Sequence, residues 1–279
     1  MLKLRILTAL VLAPIMIGGV FFLPLEQFKL FIGFIVTLGA WEWANMSGIR
    51  MPVGRIAYAG LLAGLICAVE FGDLVQEAEI LYLAFVWWIT AFVLVAIHPT
   101  LKPYWGSPIV RMIMGLFILI PMWVGFVQIK SYPFNDYLIM YVMLIVWGAD
   151  VGAYFSGRLF GKRKLAVTVS PGKTWEGVYG GVAVTLLIAY AGGRLLEHAT
   201  ESTLDASQWL LLIVITLAIT AVSIVGDLIE SMIKRHRKIK DSSNLLPGHG
   251  GIMDRIDSMT AALPMFALAL SVFGWNLVA

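Results

Sequence analysis

Asp227, Glu230, Ser231 and Lys234 fall at i, i+3, i+4 and i+7, the spacing of one helical face. Asp254 and Asp257 repeat the i, i+3 interval further on. An antiparallel pair of helices carrying the two sets would bring Asp227, Asp254 and Asp257 together. Clustered carboxylates repel unless a cation intervenes. Mg²⁺ takes one or two carboxylates together with substrate phosphate oxygens and water. A metal centre on Asp227, Asp254 and Asp257 is therefore expected, the other reading being a structural cluster neutralised by Lys234 and Arg255. Between the two sets lie Arg235, Lys240, Asp241 and the turn Pro247-Gly248-His249-Gly250-Gly251. Glycines around His249 suit either close approach to a phosphate or a tight turn. No second histidine stands at ligand spacing, so zinc is not expected.

A second polar stretch, Ser170-Pro171-Gly172-Lys173-Thr174-Trp175-Glu176-Gly177, contains Gly-Lys-Thr. It is not a Walker A loop: the required upstream glycine is Val167, and no strand is expected before it. Ser170, Lys173 and Thr174 precede a helix starting near Trp175, where free N–H groups favour phosphate. Ser170 or Thr174 as an ordinary N-cap, with Glu176 in the first turn, is the plainer alternative. Asp150 ends the apolar run YLIMYVMLIVWGAD. It reads as a metal or substrate contact, or as an interfacial carboxylate at a helix end.

These groups sit in a chain that is 60% hydrophobic and 13% charged. Soluble domains carry about 25% charged residues, so the fold class is an all-α, polytopic integral membrane protein. Apolar segments cover roughly 6–23, 28–46, 56–71, 80–97, 112–129, 137–155, 178–196, 209–229 and 259–278, which makes about nine transmembrane helices. The first is long for a signal-peptide core and lacks a cleavage site, so it reads as a retained helix. Pro14, Pro121 and Pro264 lie within or near spans. The one cysteine, Cys67, excludes an intrachain disulfide. Trp41 and Trp43 read as an interfacial belt; the Glu42 between them is not placed by the sequence.

With the N-terminus cytoplasmic, alternation puts seventeen of the twenty Lys and Arg residues on the cytoplasmic side, leaving only Lys29, Lys130 and Arg194 outside. The outer loops carry Asp73, Glu77, Glu79, Glu197, Glu201 and Asp205. Residues 1–135 are expected to form N-terminal membrane helices (about five spans) and 136–279 a C-terminal catalytic membrane region (about four), with cytoplasmic loops 156–177 and 231–258. A bacterial cell (inner) membrane is the expected location, with the active site facing the cytoplasm.

The run Ser231, Lys234-Arg235, Lys240-Asp241, Ser243, Leu246-Pro247, His249-Gly250-Gly251, Asp254-Arg255, Asp257 resembles the signature of the phosphatidate cytidylyltransferases, or CDP-diacylglycerol synthases. Trp147-Gly148-Ala149-Asp150 with Tyr154, and Ser170-Pro171 with Lys173-Thr174 and Glu176-Gly177, are also similar to that family. The resemblance is sharp over about 140–260 and elsewhere extends only to helix layout. It implies transfer of CMP from CTP to phosphatidate, Mg²⁺ dependence, a two-cation centre held by Asp227, Asp254 and Asp257, membrane lipids as surroundings, and a homodimer. Nucleic acid is not an expected partner. On this reading Asp227, Asp254, Lys234 and Arg235 are catalytic. Ser170, Lys173, Thr174, Glu176, Lys240, Asp241, His249, Arg255 and Asp150 bind substrate. The alternatives are a CTP-dependent lipid kinase and, in a different class, a secondary transporter.

Overall fold

The computed structural model describes residues 2–72 and 76–274. Asp73 lies outside the described residues. The elements run α1 (Leu2–Phe22), α2 (Leu25–Met46), α3 (Pro52–Phe71), α4 (Glu77–Ala96), a short α5 (Lys102–Trp105), α6 (Pro108–Ser131), α7 (Asn135–Phe160), β1 (Lys164–Ala166), β2 (Ser170–Thr174), α8 (Trp175–Thr200), α9 (Ala206–Arg237) and α10 (Met253–Phe273). A long helix stands over each of the nine apolar segments. Seven of them (α3, α4 and α6–α10) are long and apolar enough to cross a membrane. Among the described side chains, the apolar stretch of α1 is Leu10–Phe22, and α2 is made more polar by Glu26, Lys29 and Glu42.

Contacts sort the helix ends into two groups. At one end, Asn45 Nδ2 donates to Ser242 O (3.2 Å) and Arg237 Nε donates to Asn45 O (3.2 Å). There too the Trp105 and His236 rings lie 5.1 Å apart, and His98 Nδ1 is 3.0 Å from Thr168 Oγ1. At the opposite end, Lys29 pairs with Glu70 (2.6 Å) and Lys130 with Asp136 (2.6 Å), while Lys130 Nζ also donates to Val20 O (2.5 Å). These groupings require the nine long helices to alternate in direction. Pro14, Pro121 and Pro264 fall inside α1, α6 and α10.

α6 and α10 form the centre, 67% buried along their apolar stretches against 22% for α3 and α8. One hydrophobic core runs from Val20 and Phe28 through Leu119 and Phe126 to Leu263 and Leu270. Trp43 belongs to that core rather than to an interfacial belt. It is 1% exposed and its Nε1 donates to Arg111 O (2.7 Å), docking α2 on α6. The Trp41 ring is covered by the Arg55 guanidinium, 3.4 Å from its centroid.

Both polar loops are shorter than their composition suggests. α9 continues through Ser231–Arg237, because its basic last turn complements the helix dipole. α10 already begins at Met253, leaving 238–252 as the loop. Residues 164–174, expected to lack strands, form an antiparallel hairpin pairing Lys164 with Thr174 and Ala166 with Ser170. The β-branched Val167, Thr168 and Val169 fall in the turn, and the strands Lys-Leu-Ala and Ser-Pro-Gly-Lys-Thr are poor in strand-favouring types, so composition gives little sign of the hairpin.

Candidate active site

The site forms where α9 meets the start of α10. Gly226 makes the approach close: a Cβ there would lie 2.7 Å from Asp257 O. The next residue, Asp227, is thereby brought beside Asp257. Carboxylate oxygens of Asp227, Glu230 and Asp257 all lie within 4.8 Å of one another. Glu230 is 1% exposed, and its Oε1 has no hydrogen-bond partner among the described residues. A buried carboxylate oxygen left unpaired and facing two more carboxylates is the donor set a hard divalent cation requires. The chemistry of these three groups therefore fits a divalent cation.

Ammonium groups flank the cluster. Lys173 pairs with Asp227, which also accepts from Ser231 Oγ (3.3 Å). Lys234 Nζ lies 2.5 Å from both Glu230 Oε2 and Asp254 Oδ1. Asp254 adjoins the three-carboxylate group through Lys234, which it shares with Glu230. Its other oxygen accepts from Ser242 N (2.8 Å), Ser242 Oγ (2.9 Å) and Gly251 N (2.8 Å), so it shapes the 238–252 loop. Helical spacing groups Asp227 with Asp254 and Asp257; the structure groups Asp227 with Glu230 and Asp257.

Lys173 comes from β2, which lies against α7, α8 and α9. It lines a cavity of about 440 Å³ whose walls include Ala149, Ala153, Leu165, Val178 and Ile224, with Asp150 and Arg158 as its other charged groups. Asp150 is within electrostatic reach of Lys173, Asp227 and Arg255. Thr174 also lines the cavity, but its hydroxyl caps α8 by accepting from Gly177 N (3.1 Å). Glu176 accepts from Lys162 N (3.0 Å), Arg163 N (3.1 Å) and Arg163 Nε (3.2 Å), closing the hairpin. Ser170 opens β2 opposite Ala166.

A second cavity, about 560 Å³ and more polar, is walled by the loop itself. Lys240, Asp241, Asn244 and His249 line it together with Arg255 from α10. The turn is closed by His249 N donating to Leu246 O (2.9 Å) and Leu246 N to Gly250 O (2.8 Å). The His249 Nδ1 atom is buried without a partner among the described residues. Turn formation thus uses the backbone of His249 and leaves its ring available. Arg235 Nη1 donates to Ile239 O (3.2 Å), at the C-terminal end of α9.

Sequence reasoning left one residue unplaced. Glu42 is fully buried, and its oxygens accept from Ser242 Oγ (2.9 Å), Ser243 Oγ (2.6 Å), Ile252 N (3.0 Å) and Met253 N (2.7 Å). The available signal was a carboxylate inside an apolar run, which is costly unless paired.

The profile described as the Cytidylyltransferase family matches residues 3–273 of this chain. A protein of Pseudomonas aeruginosa named phosphatidate cytidylyltransferase is 54% identical over 276 residues, covering 99% of each chain. One of the same name from Haemophilus influenzae is 38% identical over 96% of this chain and 98% of its own. A Bacillus subtilis protein, also so named, is 40% identical over 135 residues, 48% of each chain.

Proposed function

The chain belongs to the cytidylyltransferase family, and from that premise we propose that it transfers the CMP moiety of CTP to phosphatidate, giving CDP-diacylglycerol and pyrophosphate. The observation that carries the site assignment is the Asp227–Glu230–Asp257 group with Lys173, a residue of the first cavity's wall, paired to Asp227. In the reaction a phosphate oxygen of phosphatidate bonds to the α-phosphorus of CTP, and the bond to the departing pyrophosphate breaks in line with it. A phosphate monoester already carries about −1.5 to −2 charge near pH 7, so no strong base is needed. Both reactants are anions, and the protein's task is alignment and charge neutralisation.

Lys240, His249 and Arg255, which line the polar cavity, are assigned to the nucleotide phosphates. Lys173 is placed to hold the lipid phosphate at the apolar one, whose walls suit the adjoining glycerol and acyl chains. Asp227, Glu230 and Asp257 would hold Mg²⁺. When bound, that ion neutralises charge on the phosphate oxygens. Lys234, fixed between Glu230 and Asp254, supplies a permanent positive charge beside them. The site end carries the loops rich in Lys and Arg, which supports a cytoplasmic orientation in the cell membrane.

The test is radiolabelled CTP, phosphatidate and Mg²⁺ with purified protein. The expected result is a CDP-lipid with pyrophosphate release, lost with EDTA and restored by Mg²⁺. Release of CDP with phosphorylation of a lipid alcohol would replace this reading with a lipid kinase. Full activity after exhaustive chelation would remove the metal assignment.

A further inference from the structure

We infer that Glu42 of α2 is a positioning residue for nucleotide binding: it fixes the 238–252 loop, and so the polar cavity, from behind. This rests on reading that cavity as the CTP site.

Glu42 does not line the cavity. Its two oxygens take four donors, all from the loop or the start of α10, 200 to 211 residues away in sequence. The first N–H groups of a helix have no intrahelical acceptor. The N-cap residue of α10, Ile252, has no side chain that could cap it. Glu42 supplies that cap from another helix, and its charge suits the positive end of the helix dipole. One turn on, Asn45 grips the same loop through Ser242 O. The packing leaves no slack: a Cβ on Gly251 would strike Ser242 Oγ and come within 2.5 Å of both Glu42 oxygens. The opposite face of this clamped loop presents Lys240, Asp241, Asn244 and His249 to the cavity.

A carboxylate is specifically required. Oε1 accepts from Ser243 Oγ and Ile252 N, and Oε2 from Ser242 Oγ and Met253 N. A glutamine amide, in either orientation, turns its NH₂ toward a backbone N–H that can only donate.

The experiment measures KM for CTP and for phosphatidate separately, in full-length protein purified in detergent. Glu42→Gln should raise KM for CTP about ten-fold, the loss of a charge-assisted hydrogen bond, with KM for phosphatidate unchanged. Lys240→Ala and Arg255→Ala, which alter the cavity wall directly, should also raise KM for CTP. If they do and Glu42→Gln lowers kcat with both KM values intact, Glu42 is merely structural and the inference is overturned. If they do not, the nucleotide reading of the cavity falls and takes this inference with it. Should Glu42→Gln fail to fold, Ser243→Ala removes one donor and leaves α2 untouched. It should raise KM for CTP about three-fold, and an unchanged value would overturn the inference.

Discussion

The two ends of the helix bundle both bury charge, and they do so by different rules. At the opposite end every cation named above has its acid. Lys130 meets Asp136 and the Val20 carbonyl and lies 5.4 Å over the Phe28 ring. Lys29 meets Glu26 and Glu70, and Arg194 meets Glu197. At the site end four carboxylates, Asp227, Glu230, Asp254 and Asp257, face two ammonium groups, Lys173 and Lys234. One glutamate oxygen has no partner among the described residues. Paired charge at a helix end ties helices together; carboxylates crowded within 4.8 Å of one another store repulsion that a bound cation relieves.

Substitutions at each end should therefore fail differently. The largest effect is expected for Asp227→Asn or Asp257→Asn: CTP-dependent product should drop about 100- to 1,000-fold, while size-exclusion profile and thermal midpoint in detergent stay at or above wild type. Turnover near wild type in either folded variant would dissolve the distinction. Lys130→Met should do the reverse, costing about 2 kcal/mol of stability by stranding Asp136 and the Val20 carbonyl, seen as a lower thermal midpoint with both KM values unchanged. The smallest shift is the most diagnostic. Glu230→Gln removes one of the crowded charges and should stabilise the metal-free protein by about 1 kcal/mol while lowering activity. A destabilised Glu230→Gln protein would mean that the cluster is structural after all.

Much of this was legible in the residues. Long apolar runs gave the positions of all nine long helices, because length and hydropathy are local properties. The shared face of Asp227, Glu230 and Lys234 followed from helical spacing and is borne out by the Glu230–Lys234 pair. What was not legible depended on how helices cross. Residues three apart on a helix differ by about 60° in direction, so Asp254 and Asp257 look alike in sequence. The contact at Gly226 brings Asp257 beside Asp227, while Asp254 reaches Lys234 of the same helix with one oxygen and the 238–252 loop with the other. The hairpin was missed because its five-residue β2 is read more readily as a phosphate loop. Trp43 looks like a belt residue in the sequence because burial against α6 leaves no local trace.

Glu42 also has a consequence for how the chain is made. Its backbone donors at Ile252 and Met253 are synthesised 210 and 211 residues later. At roughly 5–20 residues per second, that is a wait of about 10–40 s. During this interval α2 must enter the bilayer with an unneutralised carboxylate one turn from its end, where water and headgroups can still hold it. Final seating of α2 is thus a late event in biogenesis, completed when the last helix arrives and brings the missing donors.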